Sequence, residues 1–200
     1  MTFPSEIKFE SVTVKTKFNN FVTKSRSFKT IARATPAHQY EVRLRTTNLD
    51  DDKLRVMNSF IDSLDGRYGA FDVILPIYST PRGVATGTPV LNGSKSIGDT
   101  SIAVSGYSGS VTGIAKDGDY IRFGNHTKVY QVKDDANTNG SGQTTLTINP
   151  GLLVAVTSGT AITVTDVPFN IRLTGDVQEF SASTKRRYPS IEITGEETLL

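Results

Sequence analysis

Apolar and polar residues alternate from Ser11 to Phe18, where Val12, Val14 and Phe18 fall on one side, and this period of two predicts a half-buried strand. Asn19-Asn20 is a turn signal, after which Phe28–Ala34 and Gln39–Thr46 give two further strands. In the second of these, Tyr40, Val42 and Leu44 alternate with Glu41, Arg43 and Arg45, so one face of it is wet or meets a polar partner. The period then changes. Leu54, Met57, Ile61 and Leu64 recur at helical spacing with Phe60 widening the stripe, which predicts a helix over about 50–64. Asn48 is the expected N-cap, Asp50, Asp51 and Asp52 suit the helix dipole, and Gly66 is placed to end the helix in a left-handed cap.

Phe71–Tyr78 (FDVILPIY) is the most apolar run in the chain, and its shortness and flanking glycines predict a buried strand. Beyond it the texture changes. From Arg82 to Val167 Gly, Ser, Thr, Asn and Asp dominate, and five short strands are predicted at Ser101–Val104, Tyr120–Phe123, Lys128–Val132, Thr144–Ile148 and Ala161–Val164. That number and spacing suit a small closed barrel, with a tight hairpin at Phe123–Thr127. The earlier pattern returns at Pro168–Leu173 and Ser190–Thr194. The expected architecture is mainly β: a sheet with one helix, built from residues 1–81 and 168–200 and interrupted by an inserted barrel over 82–167. Phe71–Tyr78 and Pro168–Leu173 should then be neighbours.

Composition narrows the chemistry. The chain has 200 residues and no cysteine, which excludes disulfides, thiolate metal sites and cysteine nucleophiles. No stretch approaches a membrane span, and Glu6, Lys8 and Glu10 interrupt any signal-peptide core, so a protein used without secretory passage or membrane insertion is expected. Net charge is only +2, yet Met1–Arg45 holds nine bases (Lys8, Lys15, Lys17, Lys24, Arg26, Lys29, Arg33, Arg43, Arg45) against Glu6, Glu10 and Glu41.

Motifs of catalysis are missing: there is no nucleophile elbow, no phosphate loop, and no Ser, His and acid at suggestive positions. His38 and His126 both fall in turn-like stretches and are expected at the surface. No catalytic, cofactor or metal residue is predicted. Asp135-Ala136-Asn137-Thr138-Asn139-Gly140 matches the first half of a calcium loop, but the twelfth position is Leu146 and the flanks are strands, so a polar hairpin turn is the expected reading. Lys185, Arg186, Arg187 and Tyr188 combine charge with an aromatic ring and are the candidate partner-contact residues.

Several of these stretches resemble a known family. The strand Phe71–Pro76, the turn Lys116-Asp117-Gly118-Asp119 and the run His126-Thr127-Lys128-Val129-Tyr130, in this order of elements, are similar to the distal tail proteins of long-tailed (siphovirus) bacteriophages, in the form found in T5-like phages. The resemblance implies a virion structural protein, assembled in the host cytoplasm, whose β-rich domain forms a ring, usually hexameric, between the tail tube protein and the baseplate hub protein. It also implies an inserted barrel of the OB-fold type, which in relatives sometimes carries side-fibre proteins or meets the cell surface. Cations lining a lumen would retard DNA, so most of the nine N-terminal bases are expected to point outward or to pair with acids of adjacent protomers. Two other readings compete. A carbohydrate-binding barrel would need exposed aromatics, and a nucleic-acid-binding barrel would need a contiguous basic groove.

Overall fold

The computed structural model describes residues 1–177 and 190–199. The chain passes through β1 (Phe9–Phe18), a hairpin of β2 (Phe21–Lys24) and β3 (Thr30–Arg33), then β4 (His38–Thr46), helix α1 (Asp51–Asp62) and β5 (Ala70–Ile74). Six short strands follow: β6 (Val90–Leu91), β7 (Ser101–Ser105), β8 (Tyr120–Phe123), β9 (Val129–Val132), β10 (Thr144–Asn149) and β11 (Ile162–Thr163). β12 (Pro168–Leu173) and β13 (Glu192–Glu197) come last.

Five strands from both ends of the chain form one antiparallel sheet in the order β1-β4-β13-β12-β5. The period of two decides its faces. Tyr40, Val42 and Leu44 of β4, Phe71 and Val73 of β5, and Phe169 and Ile171 of β12 all point to one side. There they meet Leu54, Met57, Phe60 and Ile61 of α1 in a single apolar cluster. Phe60 stands edge-on to Phe71 at 5.1 Å, so the helix covers the β5 side of the sheet.

The helix is capped two residues later than expected. Asp50, not Asn48, is the N-cap, and its carboxylate accepts the Lys53 amide at 2.9 Å; Leu49 intervenes because it is needed in the core. Nor does Gly66 end the helix directly. Ser63 is the C-cap, and the reversal that follows puts both Asp65 and Gly66 at positive φ. The Gly69 amide then donates to the Leu64 carbonyl at 2.7 Å, and a Cβ at Gly69 would sit 2.6 Å from that oxygen, so only glycine passes there.

The apolar run after β5 is not all strand. β5 stops at Ile74, and Pro76-Ile77-Tyr78 is a turn with Ile77 at φ 72 and 86 % exposed. Pro76 has no amide to continue a ladder, and Ser79 closes the turn. Its amide donates to the Leu75 carbonyl, its hydroxyl accepts the Leu75 amide at 2.8 Å, and the same hydroxyl donates to the Val167 carbonyl at 2.7 Å. The chain therefore leaves and re-enters the sheet side by side, and β12 pairs antiparallel with β5 from Pro168 opposite Ile74 to Arg172 opposite Ala70.

Between those points β6–β11 build a six-stranded sheet in the order β11-β8-β9-β10-β7-β6, one strand more than the pattern predicts. The extra strand, β6, nearly closes the barrel: Val90 bridges Ala161, the Leu91 amide donates to the Thr160 carbonyl and the Ile162 amide to the Pro89 carbonyl, both at 2.9 Å. Inside lies a second apolar cluster that includes Ile102, Val104, Phe123, Tyr130, Val132, Leu146 and Ile148.

Candidate functional site

The outer face of the five-stranded sheet is where the N-terminal charge goes. Because Tyr40, Val42 and Leu44 face the core, Glu41, Arg43 and Arg45 must face the other way, and the antiparallel register lays Lys15 of β1 beside Glu41. Lys15 and Lys17 reach the two carboxylate oxygens of Glu41 at 2.9 and 2.7 Å, and Lys17 also reaches Glu196 at 2.5 Å. Arg43 pairs with Glu192 at 3.5 Å and Arg45 with Glu10 at 3.2 Å. The hydrogen bonds donated by Lys17 and Lys15 hold the Glu41 carboxyl down to about 2, and those that Lys17 donates to Glu196 and Glu41 raise Lys17.

Four of the nine N-terminal bases are thus matched by acids of the same chain, rather than waiting for those of a neighbour. Lys8 donates to the Ser5 carbonyl, and Lys24, Arg26, Lys29 and Arg33 belong to the β2–β3 hairpin, where none makes a salt bridge among the described residues.

Where barrel meets sheet, charge is buried instead. Glu197 follows Ile193 and Gly195 on the inward side of β13, with its carboxylate fully enclosed. The Val129 amide donates to Oε1 at 2.8 Å, the Tyr40 amide to Oε2 at 3.2 Å, and the Lys128 ammonium also donates to Oε2. Lys128 is only 2 % exposed, and its Nζ lies 4.5 Å from the centre of the Tyr40 ring. Burial pushes the Lys128 ammonium down and the Glu197 carboxyl up, each toward its neutral form, while their mutual attraction opposes both shifts.

A second tie lies on β8. The Arg122 guanidinium donates to Asp72 at 3.0 Å and to the Pro168 carbonyl at 3.1 Å, and Asn170 donates to the same Asp72 oxygen. Between the ties an aromatic cluster crosses the junction, with Tyr120 of the barrel edge-on to Tyr40 at 5.8 Å and to Phe169 at 5.4 Å.

Both histidines lie here or close by, and neither is at the surface. His38 is buried with both ring nitrogens lacking a hydrogen bond, packed edge-on against Tyr40 at 4.6 Å and Phe18 at 4.9 Å. Burial, and then the Lys128 charge, lower it to about 4. His126 turns inward from the β8–β9 hairpin. Its Nδ1 is 2.8 Å from the Asn125 side-chain oxygen and its Nε2 is 2.8 Å from the Tyr130 hydroxyl, so Nδ1–H donates and Nε2 accepts. It too is lowered to about 4, by burial and then by Arg122 and Lys128. Turn-like sequence signalled a loop in both cases, but His38 opens β4 and is enclosed by Phe18 and Tyr40, and the hairpin turn folds His126 back onto Phe123 and Tyr130. A mostly apolar cleft of about 550 Å3 opens beside His38, lined by Lys17, Phe18, Pro36, Leu153 and Leu199 among others. The buried ring nitrogens present no polar group to it.

The other positions singled out by the sequence resolve as follows. Lys185, Arg186, Arg187 and Tyr188 lie outside the described residues. In the calcium-like stretch, Asp135 pairs with Lys116 at 2.6 Å and accepts the Asp117 amide, Asn137 accepts the Gly113 amide, and Asn139 accepts the Ser141 and Gln143 amides, all at 3.0 Å or less. Those oxygens hold loops together. Tyr107, Tyr120, Phe123 and Tyr130, the four aromatic residues of 82–167, are all buried. Glu197 and Lys128 are the residues that sequence reasoning missed. The strand predicted at Ser190–Thr194 stops short of Glu197, and carrying its alternation three residues further would have placed an acid on the core side.

Residues 78–167 match the family described as distal tail protein pb9, B domain. The matched segment covers the barrel strands β6–β11 and ends at Val167, immediately before β12. The family is that of a phage tail structural protein. No curated protein matches the chain.

Proposed function

We propose that this chain is a distal tail protein of a long-tailed phage, which forms a ring, hexameric by analogy, joining the tail tube to the baseplate hub. The observation that carries the reading is the match of 78–167 to the distal tail protein B domain, in a chain where that segment interrupts a second, separate sheet. On this reading residues 1–81 and 168–200 form the ring, and 82–167 is the outer barrel, of OB-fold type. The charge arrangement is compatible with a wall past which DNA slides. Lys15, Lys17, Arg43 and Arg45 are each held by an acid of the same chain, so among the described residues these strands offer a polyanion no row of uncompensated cations.

The carbohydrate reading needs an aromatic platform, and the four aromatics of the barrel are committed to its interior and its junction with the sheet. Mass measurement of the purified protein and negative-stain imaging, repeated on assembled tails, test the proposal. A discrete ring with a central hole is expected in at least one of the two. A single copy per tail overturns the ring.

A further inference from the structure

Residues 19–37 leave the sheet after Phe18, and the ribbon they form has no strand of that sheet paired to it among the described residues. Among the described residues β2 and β3 pair only with each other, and every residue of 19–37 except Ser25 and Thr35 is exposed. A two-stranded ribbon without a core is marginal by itself. This one nevertheless carries Phe21, Val22, Phe28 and Ile31 into water. The register sets Phe21 opposite Arg33 and Ile31 opposite Thr23, so Phe21 and Ile31 share one face with a cation.

At the tip, the Ser25 amide donates to the Lys29 carbonyl and the Phe28 amide to the Ser25 carbonyl, both at 2.9 Å. Phe28 is held there at φ 59, 86 % exposed. An aromatic residue in the left-handed region is strained, and this one gains little burial from the described residues of its own chain.

The charge of the ribbon identifies its partner. Lys24, Arg26, Lys29 and Arg33 stand in a stretch, 11–40, that contains no acid at all. The complement lies on the opposite edge of the same sheet. α1 covers the β5 side, and over 50–65 it and its flanking turns carry five aspartates (Asp50, Asp51, Asp52, Asp62, Asp65) against Lys53 and Arg55. Asp52, Asp62 and Asp65 are exposed and make no salt bridge among the described residues. Exposed apolar groups continue along that edge at Tyr68, Ile74 and Ile77. β1, which leads into the ribbon, and β5 are the two outermost strands of the sheet.

We infer that the ribbon 19–37 of one copy docks on the α1–β5 edge of a second copy, in a head-to-tail contact between a basic, apolar edge and an acidic, apolar one. Such a contact uses two different surfaces of the chain, and it closes into a ring when the rotation between copies divides the circle. This inference rests on the ring reading and deepens it by naming the surfaces that meet.

Because the chain has no cysteine, introduced thiols react without background. Full-length Phe28→Cys and Asp62→Cys variants are mixed and treated with a short bismaleimide, alone and in assembled tails. A cross-linked dimer is expected from the mixture and not from either variant alone. Lys24→Glu, Arg26→Glu and Lys29→Glu together should weaken self-association by about tenfold or more, with thermal unfolding unchanged, and a copy carrying Asp52→Lys, Asp62→Lys and Asp65→Lys should restore it. Three outcomes overturn the inference: Phe28→Cys linking to itself, assembly indifferent to the reversals, or cross-linking of the ribbon to a different protein of the tail. In each of these a ring seen by imaging leaves the ring reading standing. A single copy per tail removes both.

Discussion

The outer face of the sheet and the junction between sheet and barrel are both made of acids facing bases, yet water reaches one and not the other. On the face, Lys15, Lys17 and Glu41 are joined by bonds of 2.7 to 2.9 Å, with the lysines about half exposed. In the junction, Lys128 and Glu197 are sealed off and share two backbone amides and an aromatic ring. The number of contacts is similar, but the energetic weight is not. An exposed pair gains little over its hydrated components, whereas a buried charge that loses its partner has nowhere to go. The face can therefore be polar without being rigid, and the junction is where the attachment of barrel to sheet can be broken by one atom group.

The sharpest way to separate the two is to remove one partner from the junction. Glu197→Leu strands the Lys128 ammonium and leaves the Tyr40 and Val129 amides without an acceptor, and should cost about 3–5 kcal/mol in urea unfolding. Lys128→Met should cost less, because Glu197 keeps both amide donors and burial already favours its protonated form. The cost of that substitution, measured against the unmodified chain at the same pH, should shrink as pH falls toward and through the raised carboxyl pKa, since the folded variant then binds the extra proton. Equal costs for the two substitutions would mean that the amides contribute nothing.

Acid should also weaken the junction. His38 and His126 are neutral in the folded chain and lowered from 6.5 to about 4, so their contribution is complete above pH 6.5 and is lost as pH falls from 6.5 to about 4. At about 1.4 kcal/mol per pKa unit, each can contribute up to about 3 kcal/mol. Thermal unfolding across that window should show a steep fall, halved in His38→Phe, and a flat profile overturns the assignment.

The smallest effect belongs to the face. Glu41→Gln frees Lys15 into water and leaves Lys17 with Glu196 alone, and should cost about 1 kcal/mol or less, vanishing in about 1 M salt. Glu41 is held down to about 2, so in the unmodified chain this contribution is full above pH 4.5 and disappears as pH falls toward 2. A cost for Glu41→Gln as large as that of Glu197→Leu would erase the distinction between wet and dry pairs.

Much of this could be read before any coordinates. The alternation around Tyr40, Val42 and Leu44 names the buried side of β4, and the change of period at Leu54, Met57 and Ile61 names the helix, because both signals are local and repeat several times. The change of texture near Arg82 marks the start of the stretch that carries the barrel, and Pro168–Leu173 emerges as the strand where the sheet resumes. Elements that depend on a single short contact were invisible. β6 has only two residues, too few to show a period, and it exists because Pro89, Leu91 and Thr160 complete a ring of hydrogen bonds. The end of β5 was misplaced because the apolar run continues through Leu75 to Tyr78, although Pro76 cannot extend the ladder.

What the sequence alone determined is which residues share a face, since that follows from the geometry of strand and helix. What only the tertiary structure decided is what lies across from each face. Nothing near Glu197 foretells Lys128, sixty-nine positions away, and nothing near His38 foretells Phe18, which packs against it from β1. Nor does the string of bases from Lys8 to Arg45 say which of them meet an acid and which remain in the unsupported ribbon. Burial and pairing are properties of non-local neighbours, and they fix the energy of a charge far more than its own identity does.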